Sequence, residues 1–163
     1  MLRSLAIAAA AIAALALSPA AEAQRDRERA TPYWASISAG EAMMRTGPGR
    51  NYPATWLYKR ADLPIKVLEV YPSWRKVQDP DGTTGWMLVN LLSGTRTGIV
   101  TGDSPRPMRK APSPDADTAY LAAPGVVGKI AKCSGGWCRF DVRGKAGFIR
   151  AEHLWGLDEG ESF

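Results

Sequence analysis

Soft metal ligands are scarce in this 163-residue chain: one histidine and two cysteines. A structural zinc site built from Cys and His alone needs four ligands, so that class is excluded. Long apolar runs are also missing. The longest, Leu5 to Leu17, has 13 residues, whereas a membrane-spanning helix needs ~20. No cysteine follows it to carry a lipid anchor. There is no glycine-rich phosphate loop and no Cys-x-x-Cys pair, so nucleotide chemistry and thiol oxidoreduction have no motif to rest on. Sixteen Gly and twelve Pro interrupt the chain too often for long helices, which excludes a helical bundle. With 45% hydrophobic and 23% charged residues the composition is that of a globular protein.

The first 23 residues have the layout of a secretory signal. Arg3 supplies the positive start, Leu5 to Leu17 the apolar region, and Ala21-Glu22-Ala23 the small-x-small pattern of a cleavage site, which places the expected cut between Ala23 and Gln24. Export implies an oxidising compartment, periplasmic or outside the cell. The segment removes one base and one acid, so the net charge of +5 survives processing. Anionic wall polymers or an envelope protein are the expected partners of such a chain; nucleic acid and a stable membrane span after processing are not. A charged stretch, Arg25 to Arg29, follows, and residues 24–36 are expected to form a flexible tail.

Beyond it lies an internal repeat. Met44-Arg45-Thr46-Gly47-Pro48 is echoed by Met108-Arg109-Lys110-Ala111-Pro112. Trp74 lies 29 residues after Arg45, and Trp137 lies 28 after Arg109. Gly85-Trp86-Met87 matches Gly147-Phe148-Ile149, and Leu92 and Leu154 fall at equivalent places. Within each copy the pattern is strand and tight turn. Ile65 and Val67, then Leu68 and Val70 one step out of phase, make a mostly apolar strand. Trp74 to Gln78 runs into the turn Asp79-Pro80-Asp81-Gly82 and returns as Thr84 to Val89. Gly125 to Cys133, Trp137 to Val142 and Ala146 to Arg150 repeat this order in the second copy. The fold class expected is all-β, two small barrels in tandem. The boundaries read as 1–23 signal peptide, 24–36 tail, 37–102 first domain, 103–157 second domain and 158–163 acidic C-terminal tail.

This series resembles the bacterial SH3 domain family. In the first copy the resemblance rests on Arg45-Thr46-Gly47-Pro48, Trp74-Arg75-Lys76-Val77, Gly85-Trp86 and Leu92-Ser93-Gly94. In the second it rests on Cys133-Ser134-Gly135-Gly136-Trp137-Cys138, Gly147-Phe148 and Leu154-Trp155-Gly156, with a departure at Lys110-Ala111-Pro112, where the Gly-Pro is lost. The resemblance implies a five-stranded SH3-like barrel in duplicate and a role in recognising cell-wall or protein ligands.

Candidate chemistry is thin. Cys133 and Cys138 flank one turn and are expected to form a disulfide worth on the order of 1 to 2 kcal/mol, the alternative being two buried free thiols. His153, the only histidine, has no nucleophile to serve if the cysteines bond each other. Asp79 with Asp81 and Asp115 with Asp117 belong to loops rather than to an apolar pocket. No catalytic residue, metal site or cofactor is expected. Six Trp and five Tyr exceed what two small cores can hold. Trp86 and Phe148 read as packed, and Trp155 as lying between the barrels. Tyr52, Trp74, Arg75 and Trp137 are the expected ligand-binding residues, with Trp56 and Tyr58 nearby and Arg50 and Lys59 adding a salt-sensitive part. The function expected is a non-enzymatic envelope binding or scaffold module. The alternative is a structural accessory that stabilises a partner envelope protein.

Overall fold

The computed structural model describes residues 30–163. The signal segment, the Ala23/Gln24 cut and the start of the expected tail lie outside the described residues. Among the described residues no helix is long and apolar enough to cross a membrane. The chain forms two sheets of identical order. The first is built from β1 (Tyr33–Ile37), β2 (Ala42–Arg45), β3 (Ala54–Tyr58), β4 (Pro64–Tyr71), β5 (Trp74–Gln78), β6 (Thr84–Leu88) and β7 (Leu92–Ser93), arranged β3-β2-β6-β5-β4-β1-β7. The second is built from β8 (Thr97–Val100), β9 (Arg106–Arg109), β10 (Thr118–Ala122), β11 (Val127–Ser134), β12 (Trp137–Val142), β13 (Lys145–Arg150) and β14 (Leu154–Trp155), arranged β10-β9-β13-β12-β11-β8-β14. A 3-10 turn precedes each last strand, at Val89–Leu91 and Ala151–His153.

The long strand of each barrel bends because it carries one residue more than its partner. Val67 faces Val77 and Glu69 faces Lys76, leaving Leu68 as a bulge, which is why the apolar pattern slips phase there. The second barrel has the same irregularity between Ile130 and Lys132. The tight turn that follows β11 needs two left-handed residues, and Gly135 and Gly136 supply them at φ 58° and 77°.

Two boundaries differ from the sequence reading. Tyr33–Ser36, expected in a flexible tail, are buried in β1, which is sandwiched between β4 and β7. Thr97–Val100, expected in the first domain, form β8 and pair with β11 and β14 of the second sheet. In each copy the first strand pairs with distant strands, so only long-range pairing reveals where it belongs. Residues 158–163 pack down as well. Arg96 Nη2 donates to Glu161 Oε2 at 2.8 Å, and Cys133 and Phe163 exchange two backbone hydrogen bonds of 3.1 Å.

Each barrel has its own core. Ile37, Met44, Ile65, Val67, Val77 and Met87 fill the first; Met108, Ile130, Phe140, Ile149 and Leu154 anchor the second. Ile99 and Val127, from the second barrel, also pack against the first core. Trp34 and Trp155 meet edge to face between the barrels with centroids 4.7 Å apart, as expected for Trp155. Lys66 lies 4.9 Å over Trp34 and bonds Asp158 at 3.1 Å. Arg60 Nη2 donates to Gly125 O at 2.7 Å across the same junction.

Candidate binding site

Strand alternation decides which aromatics face solvent. On β5, Arg75 and Val77 share the core side and Trp74 lies on the other, yet Trp74 is only 7% exposed. Trp137, its equivalent on β12, is 9% exposed, with the Arg150 guanidinium 5.0 Å from the ring centroid. The cross-strand neighbours, Leu88 for Trp74 and Arg150 for Trp137, are long enough to cover an outward ring. Arg75 is 1% exposed. Its Nε donates to the Tyr33 hydroxyl at 3.2 Å and its Nη1 to the carbonyls of Tyr71 and Trp74, both at 2.9 Å, so the guanidinium braces the β4–β5 turn. Three of the four expected ligand residues, Trp74, Arg75 and Trp137, are therefore buried.

Tyr52 does face solvent, at 43% exposure. Its ring lies on the loop between β2 and β3, where a Cβ at Gly47 would run into it. That is a physical reason for glycine in the Arg45-Thr46-Gly47-Pro48 series. Arg45 Nη1 donates to Tyr52 O at 2.7 Å and fixes the same loop.

β3 is an edge strand and carries an exposed ring of its own. Trp56 is 59% exposed and lies opposite Met44, 6.4 Å from the Tyr58 ring. Tyr58 is buried, and its hydroxyl donates to Asp79 Oδ2 at 2.7 Å. Asp79 Oδ1 in turn accepts the backbone N–H groups of Asp81 and Thr83 at 3.0 and 2.8 Å. Burial, with Asp79 alongside, pushes the Tyr58 phenol well above its ordinary pKa. One buried carboxylate thus ties the Asp79–Gly82 turn to the base of β3. Met43 and Leu57, directly opposite each other across β2 and β3, are both exposed and by alternation lie on the other side of this hairpin from Trp56. Tyr71 and Trp86 meet edge to face at 6.3 Å. Arg50 and Lys59 are exposed as expected.

The second barrel keeps part of this face. Tyr120 and Leu121 stand where Trp56 and Leu57 do, opposite Met108 and Pro107, and both are exposed. Ser134 and Phe148 replace the Tyr71 and Trp86 pair.

Cys133 and Cys138 are bonded, with Cα atoms 4.1 Å apart across β11 and β12. Neither thiol is left for His153 to activate. Burial, with Arg106 adding to it, holds the His153 imidazole below its ordinary value. Among the described residues no three His, Cys, Asp or Glu side chains gather as a metal set.

Two small all-β barrels joined by a covered interface, each with an aromatic and a leucine on an open edge strand, define a tandem SH3-like protein. The bacterial SH3 domain model matches residues 38–94 and 102–156, and the chain belongs to that family. No curated protein matches it. Among solved structures it is similar to NlpC2 from Trichomonas vaginalis, at 15% identity and TM-score 0.35, over 77% of this chain and 48% of that one. NlpC1 from the same organism gives 15% identity and TM-score 0.34, over 76% and 45%. An NlpC/P60 family protein from Bacillus cereus ATCC 10987 gives 12% identity and TM-score 0.34, over 75% and 55%. The chain spans about half the length of these proteins.

Proposed function

We propose that the chain is a non-catalytic binding module of the cell envelope whose first barrel takes a cell-wall or envelope-protein ligand on the exposed rings Tyr52 and Trp56. The observation that carries this reading is the exposure of Trp56, 59%, on an edge strand whose own backbone is free to pair. Large rings turned to water on a rigid strand offer stacking area at little entropic cost. The disulfide supports an extracytoplasmic location, since such bonds persist in oxidising compartments.

The test is co-sedimentation of the mature protein with purified cell wall and, separately, with solubilised envelope proteins. Tyr52→Ala and Trp56→Ala, each first shown to unfold at the parent temperature, are expected to lose retention on one of the two materials. Retention of both variants at the parent level on both materials would refute the binding face and leave the structural accessory.

A further inference from the structure

Between the barrels lies a cleft of about 560 Å³, lined on one wall by Lys59, Arg60 and Asp62 and on the other by Lys129, Asp141 and Arg143. Its volume is in the range of small-molecule sites. Four cations meet two carboxylates there; Arg60 already donates one Nη2 hydrogen bond to Gly125 O at 2.7 Å, and Asp141 Oδ1 is engaged by the Gly144 N–H at 2.7 Å. Among the described residues no carboxylate lies within ion-pair distance of Lys129 or Arg143, and Lys59 reaches only Glu41, at 3.6 Å. Cations brought together from two domains repel, and an anion between them relieves that repulsion.

The internal repeat supplies a control. The counterpart of the 59–63 loop in the second barrel is Ala123-Pro124-Gly125-Val126, which has no cation. The counterpart of the Arg143 turn in the first is Asp79-Pro80-Asp81-Gly82, which has none either. Lys59, Arg60 and Arg143 thus occupy the one loop and the one turn that face each other and have no basic equivalents, whereas Lys129 on β11 has Lys66 of β4 as its equivalent. Asp62 and Arg143, at φ 63° and 54°, are also the two non-glycine residues with left-handed backbone among the described residues, one on each wall. For Arg143 the two-residue turn Arg143-Gly144 between β12 and β13 requires that conformation, and aspartate adopts it more readily than most residues, so it fixes the two walls without itself marking a ligand site.

We propose that the cleft binds a polar ligand with two anionic groups. Lys59 and Arg60 take one group, Lys129 and Arg143 take the other, and Asp62 and Asp141 accept from hydroxyl or amide groups between them. Carboxylate and phosphate share the chemistry required. None of the exposed aromatics lines the cleft. Lys59 alone is shared with the salt-sensitive part expected of the aromatic face, so the Lys129 and Arg143 variants are the ones that separate the two sites.

Calorimetric titration of the mature protein at low ionic strength, with a tetraglutamate peptide and with tripolyphosphate, tests it. At least one probe is expected to bind saturably at one site, and which one does so assigns carboxylate or phosphate. Lys59→Gln, Lys129→Gln and Arg143→Asn, the last chosen because Asn tolerates the left-handed turn, should each weaken binding by about tenfold. Lys132→Gln and Arg139→Gln, exposed but outside the cleft, should bind as the parent does. Absence of saturable binding by both probes, or an equal loss in the two control variants, would overturn the site.

Discussion

The two barrels secure the same turn by different chemistry. In the first, Val70 faces Arg75 just behind the Tyr71–Trp74 turn, and the buried guanidinium holds both ends of that turn by their carbonyls. In the second, the same two positions are Cys133 and Cys138, and a covalent bond does the work. The comparison teaches that the topology requires this hairpin to be pinned but is indifferent to how. It also explains why one barrel tolerates an arginine on its core side: the stem packs while the head is satisfied by oxygen atoms.

The largest effect expected from breaking this comparison is on the first barrel. Arg75→Met keeps the packing stem and removes the charged hydrogen bonds, which should cost about 2–3 kcal/mol. Hydrogen exchange is the measurement, with protection falling in β4 and β5 before β11 and β12. The same loss in both barrels would mean that the pin is not local. Reducing the disulfide should act in the opposite sense on the map. It should cost about 1–2 kcal/mol, because the loop closed is short, and the protection lost should be in β11 and β12.

Much of this was legible in the sequence. The repeat, the two Gly-rich turns, the cross-turn cysteines and the phase slip at Leu68 are all local signals, and each has its counterpart in the sheets. What was not legible depended on distance in sequence. β1 and β8 take their place only by pairing with strands nearly 30 residues or more away, so Tyr33–Ser36 read as tail and Thr97–Val100 as the end of the first domain. Trp74 and Trp137 each follow a turn at equivalent sites, which makes them candidate ligand rings in the sequence. Arg150 covers Trp137 from the neighbouring strand, and Leu88 stands directly opposite Trp74 there. The exposed Trp56 was noted near the loop, but nothing local ranked it above Trp74.

The bond from Tyr58 to Asp79 sharpens the comparison further, because Ala122 stands at the equivalent place in the second barrel. Tyr58→Phe should cost about 1–1.5 kcal/mol. A phenol whose pKa is raised on folding contributes stability that is complete below its unfolded value of 10.0 and declines as pH rises above it. Denaturant midpoints of the parent should therefore fall more steeply above pH 10.0 than those of Tyr58→Phe. Equal slopes would remove the bond from the account. The smallest effect expected belongs to the second barrel. His153 is held below its ordinary value of 6.5, so the unfolded chain binds the proton more readily. Stability from this residue is complete above 6.5 and is lost as pH falls below it. His153→Asn should flatten that acid limb slightly, and an unchanged limb would contradict the assignment.

The central claim, that the first barrel is the principal binder, is tested most directly by one pair of equivalent residues. Trp56→Ala and Tyr120→Ala occupy matching positions on the two edge strands, and both side chains are exposed. Removing a stacking ring is worth about 0.5–1.5 kcal/mol, or roughly 2- to 10-fold in affinity. Retention on the material that holds the parent protein, measured side by side, should fall by that factor for Trp56→Ala and by less for Tyr120→Ala. Equal retention of the two variants, or a larger loss for Tyr120→Ala, would contradict the account.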